Sequence, residues 1–200
     1  MFSTTVEKDR AQLGFAEAVL TAFDFLVESY GFRVTRAEPT LVRFESQRVF
    51  VNIYHGRSSY ELGLEIGRLI GESGEGEHPF SLDTILMLDG AQNPPKALFQ
   101  ASTSQDVNDC VHKLASLVRK YAASALAGDN LTFKRLAEIR AKMSAEIHHA
   151  MRLRDIRAEA DQAWKERNYP RVLELYESVK SDLTASEVKK LEYAQRHVST

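Results

Sequence analysis

The sequence predicts an α+β fold: an N-terminal helix packed on a four-stranded antiparallel meander, followed by a long antiparallel helical hairpin and a short C-terminal helical tail. Three observations indicate this class. Residues 10–30 repeat apolar side chains every three or four positions, as a helix with one buried face does. Residues 32–66 alternate apolar and polar side chains, as half-buried strands do. From residue 104 the helical spacing returns and continues almost to the end of the chain.

The composition is that of an ordinary globular chain. Of the 200 residues, 44% are hydrophobic and 27% are charged, and the formal net charge is −2. This composition excludes collagen and disordered chains, and the balanced charge gives no global attraction to nucleic acid or to a membrane surface. The single Cys110 cannot form an internal disulfide, and the first residues lack a basic segment followed by an apolar run. We therefore expect a cytoplasmic protein.

The predicted helix and sheet occupy the first half of the chain. Gly31 can end the helix, because glycine readily adopts the left-handed backbone of a helix C-terminus, and the phenylalanine after it can fold back as a cap. Strands are predicted at residues 32–36, 42–45, 49–54 and 60–66. Their apolar positions form a face that can pack on the helix, and the alternate positions form a polar face.

The second half of the chain is predicted to be helical. Residues 93–95 read Asn-Pro-Pro, so we place a boundary here between an α+β domain of residues 1–95 and a helical region of residues 96–200. Apolar residues at 107–125 follow alternating steps of four and three, a narrow seam suited to pairing with another helix. A second stripe at 136–164 predicts the partner helix of an antiparallel hairpin. Exposed apolar surface on these helices could also form a homodimer.

The tail, residues 158–196, has the spacing of about one and a half tetratricopeptide units. In that interpretation Tyr169 lies at the corner between two helices and Tyr176 packs inward. Repeat units need neighbours to bury their faces, and no second copy is found. The pattern therefore favours a short helical hairpin packed on the long helix over a partner-binding groove.

The sequence contains no motif that predicts catalysis, a cofactor or a metal. No Gly-x-Ser-x-Gly elbow occurs, and Cys110 falls on the buried seam, where a thiol is a small core residue. Glu146 and His149 have the spacing that di-iron bundles use, but those bundles use it twice. The glycines of residues 71–76 are interspersed with glutamates, which repel phosphate. We expect a non-enzyme, while residues assembled from distant positions leave an enzyme open as an alternative.

Two segments have one-sided charge. Between Leu69 and Pro95 there is no Lys or Arg, so this segment is either a solvated acidic loop or an anionic surface that steers in a basic partner. Residues 132–157 are biased the other way, and could bind RNA or DNA or form an ordinary charged helix face. The acidic candidates are Glu72, Glu75 and Glu77, and the basic candidates are Lys134, Arg135, Arg140, Lys142, Arg152, Arg154 and Arg157.

The polar face of the predicted sheet is a further candidate surface. Its residues are Asn52, Tyr54, Glu61, Gly63, Glu65 and Gly67. The two glycines would leave a shallow strip of bare backbone between carboxylates, which suits a partner's backbone or an arginine. The alternative is that Phe50 or Tyr54 lies over the glycines, or that later helices cover this face.

Several short segments of the first 90 residues occur in a recognisable order. They are Phe23-Asp24-Phe25-Leu26, Tyr30-Gly31-Phe32, Arg43-Phe44-Glu45-Ser46, Val49-Phe50-Val51-Asn52-Ile53-Tyr54-His55 and Ser58-Ser59-Tyr60-Glu61-Leu62. This order resembles small bacterial α+β immunity proteins, which are encoded beside polymorphic or contact-dependent toxins. The resemblance implies a non-catalytic protein that neutralises one cognate toxin by masking its active site. It assigns no functional residues.

We therefore expect a cytoplasmic, non-catalytic protein-binding module, an immunity protein whose partner is a basic toxin domain. Specific binding between proteins needs only a few desolvated aromatic and charged anchors. The expected anchors are Tyr54, Arg57, Tyr60, Glu61 and Glu65, with Glu72, Glu75 and Glu77 as steering charges. The alternative is a nucleic-acid-binding or regulatory adaptor that uses the basic helix at 132–157.

Overall fold

A computed structural model of the chain describes residues 10–56, 59–69, 78–89 and 95–198. The chain divides into two compact units, Met1–Arg140 and Ala141–Thr200. The domain boundary predicted at residue 95 lies beside residues 90–94, which are outside the described ranges. The fold is α+β with an antiparallel sheet and long helices, as the sequence predicts.

The first unit combines five helices and six strands in the described ranges. The helices are α1 (Phe15–Ala22), α2 (Asp24–Tyr30), α3 (Leu82–Leu86), α4 (Ser104–Tyr121) and α5 (Ala123–Leu126). The strands are β1 (Arg33–Glu38), β2 (Leu41–Glu45), β3 (Val49–His55), β4 (Glu61–Arg68), β5 (Phe80–Ser81) and β6 (Phe99–Gln100). Helix α6 (Asn130–Lys165) begins in the first unit and continues into the second, which also contains α7 (Tyr169–Glu177) and α8 (Ala185–Val198).

The sheet is larger than the predicted meander. Strands β1 to β4 follow each other in antiparallel order, as predicted, and the short strands β5 and β6 both pair with β4. The prediction of a four-stranded sheet is therefore incomplete. Two-residue strands carry too few alternating positions to be recognised from periodicity, so only their pairing with β4 reveals them.

The N-terminal helix is divided in two at Phe23, which has φ −104° and ψ 17°. Phe23 is fully buried, and its ring packs near those of Phe25 and Phe44, with centroid distances of 5.8 and 6.4 Å. The predicted end of the helix is confirmed. Gly31 has φ 68°, and the Phe32 N–H donates to the Leu26 carbonyl at 3.0 Å, a bond that folds the chain back over the end of the helix.

The main core lies on one face of the sheet. It combines the inward side chains of β3 and β4 with residues of α1 and α4, among them Phe15, Val19, Val51, Ile53, Leu64, Val111 and Leu114. The seam of α4 is buried against α1 and β4, so the predicted pairing of this seam with α6 in an antiparallel hairpin is wrong. A seam of small apolar side chains fits a sheet face as well as it fits another helix, and spacing alone does not distinguish the two.

The second unit has a small core of its own. Ala160 and Ala163 of α6 pack with Tyr176 of α7 and with Leu191 and Ala194 of α8. Tyr176 is almost fully buried, and α7 and α8 form the short helical hairpin that the sequence favours. Helix α8 begins with a capping box in which the Thr184 N–H donates to Glu187 Oε2 at 2.7 Å and the Glu187 N–H donates to Thr184 Oγ1 at 3.3 Å.

Candidate functional site

The outer face of the sheet, the face opposite the core, carries most of the predicted anchors that the structure describes. Alternation along β3 and β4 directs every second side chain away from the core. In the register of the two strands, Tyr54 lies opposite Gly63, and Asn52 lies opposite Glu65. Directly opposed residues share one face at short distance. The pairing therefore brings the predicted side chains of two strands onto one surface.

The glycines of β4 do not form a bare strip. A Cβ atom on Gly63 would lie 2.5 Å from the Tyr54 hydroxyl oxygen, and one on Gly67 would lie 2.5 Å from Phe50 Cε1. Aromatic rings therefore cover both glycines, and of the two arrangements that the sequence left open, the accessible strip of backbone is not the one observed. The alternative weighed from the sequence, in which Phe50 or Tyr54 compensates for the missing side chains, describes this surface.

The Phe50 ring is enclosed from its other side by Arg43. The guanidinium carbon lies 4.0 Å from the ring centroid, and Arg43 Nε donates to Glu45 Oε1 at 2.7 Å. Phe50 is fully buried, although it belongs to the outer face. The stack of glycine, ring and guanidinium gives this part of the face a fixed shape.

The centre of the outer face is rich in hydrogen-bond acceptors. Asn52 Nδ2 donates to Glu65 Oε1 at 2.8 Å, while Asn52 Oδ1 is buried and has no hydrogen-bond partner in the described ranges. Burial raises the pKa of Tyr54, and the carboxylates of Glu65, Glu61 and Asp83 raise it further. These carboxylates are thus close enough to act on its hydroxyl. We call Asn52, Tyr54, Glu61, Glu65 and Asp83 the acceptor patch.

Two carboxylates of the acceptor patch accept hydrogen bonds from neutral groups nearby. Ser59 Oγ donates to Glu61 Oε2 at 3.0 Å, and the Ala97 N–H donates to Asp83 Oδ1 at 3.1 Å. Within the described part of the chain, Glu61, Glu65 and Asp83 make no ion pair with a Lys or Arg. Their negative charge is therefore not neutralised locally, which suits a cationic side chain of a partner.

Tyr60 lies outside the acceptor patch, and its predicted role as an anchor stays a prediction. Its φ is 54°, a left-handed backbone that is rare for a non-glycine residue. Its ring lies under the guanidinium of Arg10, 3.7 Å from the guanidinium carbon, and 6.1 Å from the His55 ring centroid. The left-handed turn directs the side chain toward His55, at the end of the core face.

The cluster of Arg10 and His55 was missed by sequence reasoning. His55 is buried, and its Nε2 lies 2.8 Å from the Ala101 carbonyl oxygen. Because a carbonyl only accepts, Nε2 carries the proton, and Nδ1 can accept from Arg10 Nη1 at 3.2 Å. Burial lowers the pKa of His55, and the charge of Arg10 lowers it further. The available signal was alternation, because His55 follows Val49, Val51 and Ile53 at inward positions of β3.

Four predicted site residues lie outside the described ranges. They are Arg57 and the three steering glutamates Glu72, Glu75 and Glu77. Their predicted roles stay predictions.

The basic residues of α6 are divided between the two units and differ in their hydrogen-bond and ion-pair partners. Lys134, Arg135 and Arg140 belong to the first unit, where Arg135 donates to the Leu88 carbonyl at 3.0 Å and Arg140 donates to the Pro79 carbonyl at 3.2 Å. In the second unit, three of the other four lie beside carboxylates. The pairs are Lys142 with Glu146, Arg154 with Asp155, and Arg157 with Glu187. These partners reduce the charge that the segment can offer to nucleic acid.

The pair Glu146 and His149 and the exposed apolar residues of α6 can also be located. His149 Nε2 lies 3.1 Å from Asp182 Oδ1, while Glu146 lies near Lys142. In the described ranges no group of three or more His, Cys, Asp and Glu side chains is arranged to hold a metal ion. On α6 Ile147 and Met151 are 53% and 52% exposed. The homodimer expected through such helices stays a prediction.

Comparisons with known proteins found no match to this chain. No protein-family model matches the chain, and no curated protein or solved structure is significantly similar to it. None of the helices in the described ranges combines the length and the apolar content needed to span a bilayer.

Proposed function

We propose that this chain is a non-catalytic protein-binding module whose acceptor patch binds a basic partner. Within that class we propose an immunity protein, cytoplasmic in location, that masks the active site of a cognate bacterial toxin. The observation that carries the proposal is the concentration of carboxylates at the patch that have no Lys or Arg partner among the described residues. The Oδ1 of Asn52 is shielded from solvent, so the partly exposed carboxylates of Glu61 and Glu65 are the acceptors that a partner's N–H groups can reach.

The patch is suited to an arginine in particular. The guanidinium group offers several N–H donors in one plane, so it can engage two carboxylates together. The Phe50 ring beside the patch is held between Gly67 and Arg43. Because the strands and this stack hold the surface in shape, little side-chain entropy is lost on binding.

The direct test uses the protein encoded by the neighbouring gene as the candidate toxin. We expect the purified chain to bind it and to abolish its toxicity at equal concentrations. The variant Glu61→Lys/Glu65→Lys should weaken binding by about tenfold or more, because each lysine faces the partner's positive charge. Glu17→Lys/Glu28→Lys is the matched control, since it makes the same charge change at exposed positions of α1 and α2, the helices that pack on the core side of the sheet.

The outcomes separate the role of the patch from a general effect of charge. Equal weakening by both double variants would assign the loss to net charge and overturn the patch as the binding surface. Asn52→Ala, which removes the hydrogen bond to Glu65 without changing charge, should also weaken binding. Unchanged affinity in Asn52→Ala and in Glu61→Lys/Glu65→Lys together would contradict the proposal.

The steering charges are tested by kinetics. Replacing Glu72, Glu75 and Glu77 with lysine should slow association about tenfold at low salt, with the dissociation rate unchanged. The difference from the unmodified chain should shrink as salt is added, because exposed charges are screened. An association rate that is unaffected by the triple replacement would contradict the steering role.

A further inference from the structure

A basic cleft in the first unit is not used by the proposed function. It lies between the end of β4, the residues that precede β5, and the first turns of α6. Its volume is about 340 Å³, and the side chains that line it include Arg68, His78, Lys134 and Arg140. We call this feature the basic cleft.

The charge of the basic cleft is of one sign. Three permanent cations, Arg68, Lys134 and Arg140, line it together with the imidazole of His78, and no carboxylate does so among its described residues. Within the same ranges none of the three cations forms an ion pair with an Asp or Glu. Like charges gathered without counterions repel each other, and a concave site concentrates their field. An anion in the cleft would relieve that repulsion.

Two phenylalanine rings hold the guanidinium groups in place. Arg140 lies over Phe80, with its guanidinium carbon 4.1 Å from the ring centroid, and Arg68 lies 5.7 Å from the centroid of Phe133. The two rings are buried and 6.1 Å apart. Arg140 Nη1 also donates to the Pro79 carbonyl at 3.2 Å. Guanidinium groups that are oriented in advance lose less entropy when they bind an anion.

The start of α6 adds to the positive potential. Asn130, Phe133 and Lys134 lie in its first turns, where the helix dipole favours negative charge. The nearest carboxylate along the chain, Asp129, is already engaged, since it accepts from the Thr132 N–H at 2.8 Å and from Thr132 Oγ1 at 2.7 Å. Asp129 keeps its negative charge and offsets part of the helix field, so the three cations are the main source of positive potential in the cleft.

We propose that the basic cleft binds a small, multiply charged phosphate compound, with the guanidinium groups of Arg68 and Arg140 and the ammonium group of Lys134 as its ligands. Guanidinium groups match phosphate oxygens in geometry, and lysine adds a compact charge. Guanidinium groups already cover both phenylalanine rings, so these rings cannot stack on a nucleotide base. The site therefore recognises the phosphate group. A small compound is favoured over a nucleic acid, because a nucleic acid would need a longer run of cations without counterions. Further along α6, carboxylates lie beside Lys142, Arg154 and Arg157.

The test is a calorimetric titration of the full chain with pyrophosphate at low ionic strength. We expect saturable binding at one site per chain. Lys134→Gln/Arg140→Gln should weaken it at least about tenfold, because each charged hydrogen bond removed is worth more than a neutral one. Arg152→Gln/Lys189→Gln removes the same charge from exposed positions of the second unit and should leave the affinity unchanged. The replaced side chains are exposed, and thermal unfolding checks that each variant is folded.

Three results would overturn the proposal. The first is the absence of saturable binding to the unmodified chain. The second is equal weakening by the two double variants, which would indicate a diffuse charge effect. The third is binding of a short single-stranded oligonucleotide through the same residues without displacement by pyrophosphate. That result would identify the cleft as a nucleic-acid-binding site. Displacement of the oligonucleotide by pyrophosphate supports the small-compound site.

Discussion

The two faces of strands β3 and β4 are built from alternate residues of the same segments, yet they follow different rules. The inner face is a continuous apolar surface in which Val51, Ile53 and Leu64 are almost fully buried. The outer face consists of specific pairs, such as Asn52 with Glu65 and Tyr54 with Gly63. Apolar burial is non-directional, whereas hydrogen bonds and ring contacts depend on geometry. The inner face therefore contributes through the apolar area that it buries, whereas the outer face depends on specific directional contacts.

The largest expected effect comes from removing volume on the inner face. Ile53→Ala should lower the free energy of unfolding by about 2 to 4 kcal/mol, because it leaves a cavity in a fully buried position. Ile53→Val, the conservative control, should lower it by about 1 kcal/mol. Urea unfolding measures both. If Asn52→Ala on the outer face were as destabilising as Ile53→Ala, the distinction between the faces would be wrong.

A smaller effect is expected where the outer face is closely packed. Gly67→Ala should destabilise the protein by about 1 to 3 kcal/mol, since its Cβ would meet the Phe50 ring, which Arg43 prevents from moving away. The clash is specific to that ring. Phe50→Leu/Gly67→Ala should therefore be less destabilised than the sum of the single variants, as measured by a double-mutant cycle. Additive effects would contradict the contact.

The smallest effect concerns the polar residue of the inner face. Burial, and then Arg10, lower the pKa of His55 in the folded state, so its neutral form is favoured there. The contribution of neutral His55 to the free energy of unfolding is fully present above the pKa of an unfolded histidine, about 6.5. This contribution is lost as the pH falls from that value through the lower pKa of His55 in the folded protein. Between about pH 7 and pH 5, the free energy of unfolding should fall more steeply in the unmodified chain than in His55→Gln.

The control for this pH dependence is His112→Gln, because His112 is exposed on α4. Its profile of unfolding free energy against pH should follow that of the unmodified chain. If His55→Gln also followed the unmodified chain, protonation of His55 would not be linked to unfolding, and the assigned tautomer and burial would lose their support.

Local patterns predicted much of the first unit. The end of the helix at Gly31 and the four long strands were predicted because a glycine cap and an alternating strand leave a signal within a few neighbouring residues. The break at Phe23 was not predicted, since the apolar spacing continues through it. Strands β5 and β6 have two residues each, too few for periodicity to be detected.

The candidate surfaces were predicted only in part. Tyr54, Glu61 and Glu65 were expected on one face because they alternate along paired strands, and the acceptor patch contains all three. Tyr60 alternates with Leu62 and Leu64 of the inner face rather than with Glu61 and Glu65, and its ring lies beside that of His55. The basic cleft was not predicted, because Arg68 is distant in sequence from the residues of α6 beside it.

The amino-acid sequence by itself determined the class of each main element and which side of each strand is apolar, because these properties follow from the side chains of near neighbours. Only the tertiary structure decided that the α4 seam is buried on the sheet, that rings cover Gly63 and Gly67, and that an arginine of β4 meets the start of α6. Those arrangements depend on contacts between segments far apart in the chain, where several apolar surfaces compete for the same partner and only the packed whole selects one.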